Sequence, residues 1–563
     1  MSAGQSSLSS TGFDYVVAVT QDSINAALEE YLFSGLPEVI VCYVYDESVP
    51  PNPVPADYAT LVAQADNTDP FAVPDGTPPD DPRVVKLSDA GFAFAVKAEL
   101  GLPPGVPPAS LAPIVTLKPG QSDVTYTLMF AEFVATEIIY GPRNSVTWVN
   151  KSQPPGTSWT FSGTVDLDFA DKAFAELPAP VQNRLKDIGD PAMFSVSQLY
   201  YDLNSSALVQ NFRFDTPSND VLSRFMTEDF VNTYFKNLKD AEVLGYGARQ
   251  LTATPSSSLA VTDLTFFTPD AAGPAGAPLA LNYLCAASHH TLPPTTHAGF
   301  GWNWIEPGEV SQYDGVAAVN RDTLASYLGH AILPDGGTLL EYAASNCYLP
   351  SVRVTYHVVD NGLEVDYEFG ATAGQAPAVS YPASGSTLIS CAYDSGTASD
   401  QAGLDGDLGR MELSSTFGMT VSVQGNQIVI VQHLVIWTYV RVLATSDSGN
   451  IVDLQLTDTY TIGVDDTGRL TAALQSTARA DNSRRPGAND FLNFWADVQT
   501  LSDKVSEWAG NFAATNLTDV PVSFVQNFIF PGGATFSYTD ASFSDGQDLV
   551  SHITYADASQ VSF

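Results

Sequence analysis

Charge is scarce in this sequence, and basic charge scarcest. Of 563 residues only 15% are charged, and 23 Lys and Arg stand against 63 Asp and Glu, a formal net charge of −40. A surface of that sign repels phosphate backbones and anionic headgroups, so neither nucleic acid nor an anionic membrane is an expected partner. Cysteine is almost as sparse. Cys42, Cys285, Cys347 and Cys391 lie far apart and form no C-x-x-C pair, which excludes a zinc ribbon or redox dithiol and leaves buried free thiols as the expectation. No apolar run reaches membrane-spanning length; the nearest approach, Ile428 to Val442, alternates and contains Gln432, His433 and Arg441. Met1 to Thr11 has neither a basic start nor an apolar stretch, so no secretory signal is expected and a cytoplasmic location is. The signatures G-x-S-x-G, H-E-x-x-H, the P-loop and G-x-G-x-x-G do not occur; no catalytic residue, metal or cofactor is expected.

What is present is apolar substance and repetition. Apolar residues make up 44% of the chain, ample for a core, and the length suits two or three domains. Asp14 to Ile24 (DYVVAVTQDSI) aligns without gaps on Asp314 to Leu324 (DGVAAVNRDTL), and the match runs on to Leu28 over Leu328. Each copy reads as a short apolar strand, an N-cap residue (Thr20, Asn320), an acid in the first turn and an amphipathic helix. Ile24, Leu28, Tyr31 and Leu32 form one stripe; Leu324, Leu328 and Ile332 form the other. Longer amphipathic helices are expected over 218–239 and 489–512, each leading into a strand-like stretch, Leu259 to Thr268 and Val520 to Phe530.

Between the helices the pattern is β. Val352 to Val359 and Leu363 to Phe369 flank the turn Asp360-Asn361-Gly362 and alternate on both arms. Met419 to Val423 turns at Gly425-Asn426 into Ile428 to Val442, and Ile451 to Val464 turns into Leu470 onward; Val124 to Tyr140 and Trp159 to Phe169 play this part earlier. Successive hairpins imply antiparallel meanders. The Pro-rich stretches Val49 to Pro82 and Leu100 to Pro113 read as irregular loops, and His289 to Gly301 as a bridge between halves.

The opening Gly12 to Val19, the mid-chain Gly299-Phe-Gly-Trp-Asn-Trp304, and the ending Asn527 to Gly533 with Gln547 to Tyr555 resemble the OrfX-type accessory proteins of clostridial neurotoxin clusters and their fungal and bacterial relatives. That family is similar to the TULIP (tubular lipid-binding) superfamily. The resemblance implies an α+β chain of two TULIP-like domains, 1–295 and 300–563, each a strongly curved antiparallel sheet wrapped around a long helix. It implies an apolar groove, with a lipid or other hydrophobic small molecule as the partner and no catalysis. Ile24, Leu28, Tyr31, Leu324, Leu328 and Ile332 are then the candidate lining, and Trp302 and Trp304 the candidate contact with the other domain or a protein partner. Two alternatives stand beside it: an accessory scaffold in a toxin or biosynthetic assembly, and an enzyme that shapes a nonpolar substrate in a hydrophobic cavity.

Other polar groupings read as structural. His289, His290 and His297 sit in a Pro/Thr-rich stretch without a nearby carboxylate. Asp400, Asp405 and Asp407 miss the calcium-loop spacing, since positions 402 and 404 are Ala and Leu. His552, after Asp545 and Asp548, lies in a strand-like stretch as a satisfied histidine, and Cys42 reads as an inert buried thiol.

Overall fold

The computed structural model describes residues 2–33, 38–45, 53–107, 110–141, 145–188, 191–201, 213–215, 243–251, 259–269, 278–330, 333, 336–360, 362–466, 468–484, 498–515, 517, 528–529 and 535–556. These are mostly antiparallel sheet with seven α-helices, and one sheet forms a curled half-barrel. The strands fall into sheets of eighteen, six and two strands.

The repeat lies at the centre. Its two strands, Tyr15–Thr20 and Gly315–Val319, pair with each other antiparallel, and Val17 faces Ala317, its own equivalent 300 residues on. Ala280–Ala287 pairs with the outer edge of the first copy and Leu549–Ala556 with that of the second. The surrounding hydrogen bonds repeat in the same sense. Asp14 N donates to Cys285 O and Asp314 N to Ile553 O; Thr20 N donates to Asp314 O and Asn320 N to Asp14 O. The aspartate side chains match too, Asp14 accepting from Ala287 N and Asp314 from Tyr555 N, both at 2.8 Å. A local two-fold through Val17 and Ala317 therefore relates the copies.

Each strand runs into its helix as the caps require. Thr20 Oγ1 accepts from Ser23 N at the start of Gln21–Phe33, and Asn320 Oδ1 accepts from Asp322 N at the start of Arg321–His330; such caps contribute about 1 kcal/mol each. The first residue of each helix then holds the next piece of chain. Gln21 Oε1 accepts from Leu117 N, whereas the buried Arg321 donates to the carbonyls of Pro382, Gly385 and Thr387.

From the centre the large sheet runs one way through Ala280–Ala287 to Val261–Phe267. The other way it passes through Leu549–Ala556, Thr535–Tyr538 and Phe528–Ile529 to Val243–Gln250. It continues through Phe194–Tyr201, Thr160–Lys172, Asp123–Gly141 and Phe92–Leu100 to Val39–Tyr45. It also curls back, for Arg249 approaches Asp263 and Gly247 lies against the Leu264 side chain. Strands from both halves of the chain thus share one sheet. The smaller sheet is a meander over Ala378–Ser380, Thr387–Ala402, Gly409–Gln424, Gln427–Val442, Thr445–Val464 and Leu470–Asp481. Strict burial of every second residue from 409 to 423 and 428 to 442 turns one of its faces inward.

The hairpin read from Asp360 to Gly362 forms between Leu349–Val359 and Gly362–Thr372. The Pro-rich stretch from Val49 to Pro82 is not the irregular loop expected. It holds the strand Pro53–Ala56, the helix Tyr58–Gln64 capped by Asp57, and a 3-10 turn capped by Asp69, and Pro82 opens the helix Pro82–Asp89. Proline at a first helical turn loses no hydrogen bond, so here it marks helix starts. The helix expected over 218–239 lies outside the described residues; that over 489–512 is described as Val498–Trp508.

The central pairing is tight at Gly315, where an added Cβ would lie 2.2 Å from Ala18 O. Gly315→Ala is expected to lower stability by about 2–4 kcal/mol in urea unfolding, through a clash with backbone that cannot step aside. An unchanged midpoint would contradict this packing.

Candidate hydrophobic-ligand site

The helix stripes read from the repeat point into the main core. Ile24, Leu28, Leu324 and Leu328 are all buried there. Ile332 lies outside the described residues, and of Tyr31 only its place in the first helix is described. Leu324 and Leu328 border an apolar cavity of about 20 Å³, lined also by Ile428, Ile462, Leu470 and Leu549, with Thr471 its one polar neighbour. That is room for a single water-sized guest. A gap of about 10 Å³ lies where the large sheet curls back, between Gly247, Leu264, Tyr283 and Phe528.

Trp302 and Trp304 lie on the opposite face of the central strands. With Phe300 they form a cluster of rings 5.0–5.5 Å apart. It covers Val16, Ala18, Leu284, Val316, Ala318 and Val550, which come from both halves. Burying rings of this size against the central pairing is a packing role.

The polar groupings are tied into the fold. His290 Nδ1 sits 3.0 Å from both Asp14 carboxylate oxygens, and His289 N donates to Thr262 Oγ1. Asp400 accepts from Val354 N, and no group of three metal-ligating side chains occurs among the described residues. His552 pairs with Asp540 at 2.7 Å rather than with Asp545 or Asp548, and stacks on Tyr313. Although burial alone would lower it, this partner and Glu309 hold the His552 pKa above its ordinary value, while the histidine bond lowers that of Asp540 against its own burial. All four cysteines are buried and free. Burial pushes Cys42 and Cys347 to about 12 and Cys391 to about 11, so these thiols stay protonated and unreactive.

Asp548, named from the sequence only as a neighbour of His552, is a polar centre of its own. It is fully buried where the N-terminal segment crosses the last strand: Oδ2 accepts from Ser6 Oγ and Leu8 N, and Oδ1 from Arg321 N. Its place just before Leu549, which pairs with Val319, becomes visible only once the fold is seen. Burial raises its pKa to about 6 against the pull of those three donors.

No protein-family model and no curated protein matches this chain. Among solved structures it is similar to P47 of Clostridium botulinum E1, at 10% identity and TM-score 0.41, over 96% of this chain and 98% of that one. It is similar also to P47 from Clostridium botulinum A2, at 9% identity and TM-score 0.42, over 96% and 97%. A lipopolysaccharide binding protein is similar at 10% identity and TM-score 0.23, over 96% and 99%. Among the described residues no helix is long and apolar enough to cross a membrane.

A carboxyl whose folded pKa is raised, from 3.8 to about 6, stabilises most below the unfolded value and loses that contribution as pH rises through the folded one. Asp548 is therefore expected to remove about 2 kcal/mol of stability between pH 4 and pH 6. Unfolding midpoints across that range should show the loss, and Asp548→Asn should flatten it. An identical slope in the variant would rule Asp548 out as its source.

Proposed function

We propose that the chain binds a lipid or another elongated hydrophobic small molecule, without catalysis, in the apolar interior bordered by Leu324 and Leu328. One observation carries the reading: the second repeat helix and the inward face of the six-stranded meander meet at a gap bounded almost wholly by aliphatic side chains. A helix lying in the concavity of a strongly curved sheet fills it at native packing density only where its side chains are large. Rotamer changes at Leu328, Leu517 and Ile462 would widen the gap at the cost of a few side-chain torsions. Each methylene buried there contributes about 0.8 kcal/mol, so a ten-carbon chain gathers roughly 8 kcal/mol before ordering costs. On this reading the halves 1–295 and 300–563 are two related tube-like domains, which the local two-fold at Val17 and Ala317 supports. Ile24 and Leu28 then take the place in the first that Leu324 and Leu328 take in the second.

A second reading, an accessory or scaffold protein, is favoured by one feature: the hairpin Leu349–Thr372 leaves Tyr356 and Val358 50% and 79% exposed. On that reading the chain sediments as an oligomer and Val358→Asp returns it to a monomer; a monomeric wild type contradicts it.

For the ligand reading, purified protein extracted with organic solvent should release an apolar molecule by mass spectrometry. The delipidated chain should bind a dodecyl probe in native mass spectrometry. Leu328→Trp, which fills the gap, should weaken that binding at least tenfold with the fold retained by circular dichroism. A delipidated wild type that binds no apolar probe would end the reading.

A further inference from the structure

The inward face of the strand Gln427–Val442 is apolar except at two positions, Gln432 and Thr438. Thr438 is satisfied, its Oγ1 donating to Glu412 O. Gln432 is not: it is fully buried between Met419 and Leu456 of the flanking strands, and neither amide atom has a hydrogen-bond partner among the described residues. A second buried amide lies in the same place. Asn346, just past the helix Leu339–Ser345, uses Nδ2 on Tyr342 O, and its Oδ1 is unpartnered among the described residues. The Tyr342 hydroxyl feels both amides. Its one proton is on Ala513 O at 2.6 Å, so it donates to neither amide oxygen and can only accept from the amide NH2 groups. Two amide oxygens, Gln432 Oε1 and Asn346 Oδ1, thus lack a donor among the described residues.

Resting on the apolar-interior reading above, we propose that Gln432 and Asn346 hold the uncharged, hydroxyl-bearing head of an amphiphile whose tail lies toward Leu324 and Leu328. The distance suits this. Ile428, which borders the cavity beside those leucines, shares the inward face with Gln432 and lies four residues away, about 13 Å along the strand. The chemistry selects the head. A hydroxyl donates to an amide oxygen and accepts from the Gln432 NH2, whereas a carboxylate only accepts and would leave the amide oxygens unanswered. Asp458, opposite Ile430 on the next strand, turns a buried carboxylate to the same face and repels a second anion. It is itself held by Thr515 and Thr477. Arg479, in the same row of the sheet as Gln432, is exposed.

The test uses the delipidated full chain with dodecane, 1-dodecanol and laurate at pH 8, in wild type, Gln432→Leu and Gln432→Met. Thermal melting serves as the folding control, and both variants are expected to melt no lower than wild type. The expected result is a roughly tenfold loss of dodecanol affinity in both variants, unchanged dodecane affinity, and laurate weaker than dodecanol on wild type. If none of the three probes binds wild type, the apolar-interior reading falls and takes this one with it. If dodecane binds but dodecanol affinity is the same in wild type and variants, only the head site falls, and the amides hold water alone. Laurate binding more tightly than dodecanol overturns the choice of head.

Discussion

The structure depends on one strand pairing. Tyr15–Thr20 and Gly315–Val319 are adjacent in the sheet although three hundred residues of chain separate them, and they must satisfy two layers at once. Tyr15, Val17, Val19, Ala317 and Val319 enter the main core, while Val16, Ala18, Val316 and Ala318 meet the Phe300–Trp304 layer. A strand buried on both faces reads as a continuous apolar run, which is how both copies look. Their ends need polar closure, because exposed backbone groups there would otherwise be buried unpaired. Asp14 and Asp314 supply it by capturing equivalent amides of the flanking strands.

Much of the local structure was legible because it is written in short-range pattern. The repeat, its caps at Thr20 and Asn320, the hairpin at Asp360, and the long strands ending at Tyr140 and Val442 all follow from alternation, turn residues and side-chain oxygens at helix starts. Partnership was not legible. Nothing local says that the two copies pair with each other, or that Phe528–Ile529 joins Val243–Gln250, since strand pairing across such separations is set by the whole core. The prolines misled for a related reason: Pro82 is a helix start only because Asp81 caps it, and the same residues without a cap would be a loop.

The candidate site was half legible. Leu324 and Leu328 could be placed on a buried stripe from their spacing, but spacing cannot say whether a stripe fills its space or leaves a gap. Gln432 was visible only as an interruption of an apolar run. Its significance needed the parity of the strand, which puts it on the buried face, and the neighbours Tyr342 and Ala513, which leave its amide oxygen without a donor among the described residues. A buried unpaired amide is expensive, and the site where a fold breaks its own pattern is where function is to be sought.

The two repeat strands form a single unit, and native-state hydrogen exchange tests that directly. Amides of 15–19 and 315–319 should exchange last and together, with one opening free energy and one dependence on denaturant. If one copy opened while the other stayed protected, the shared centre would not exist and the two-fold arrangement built on it would be wrong.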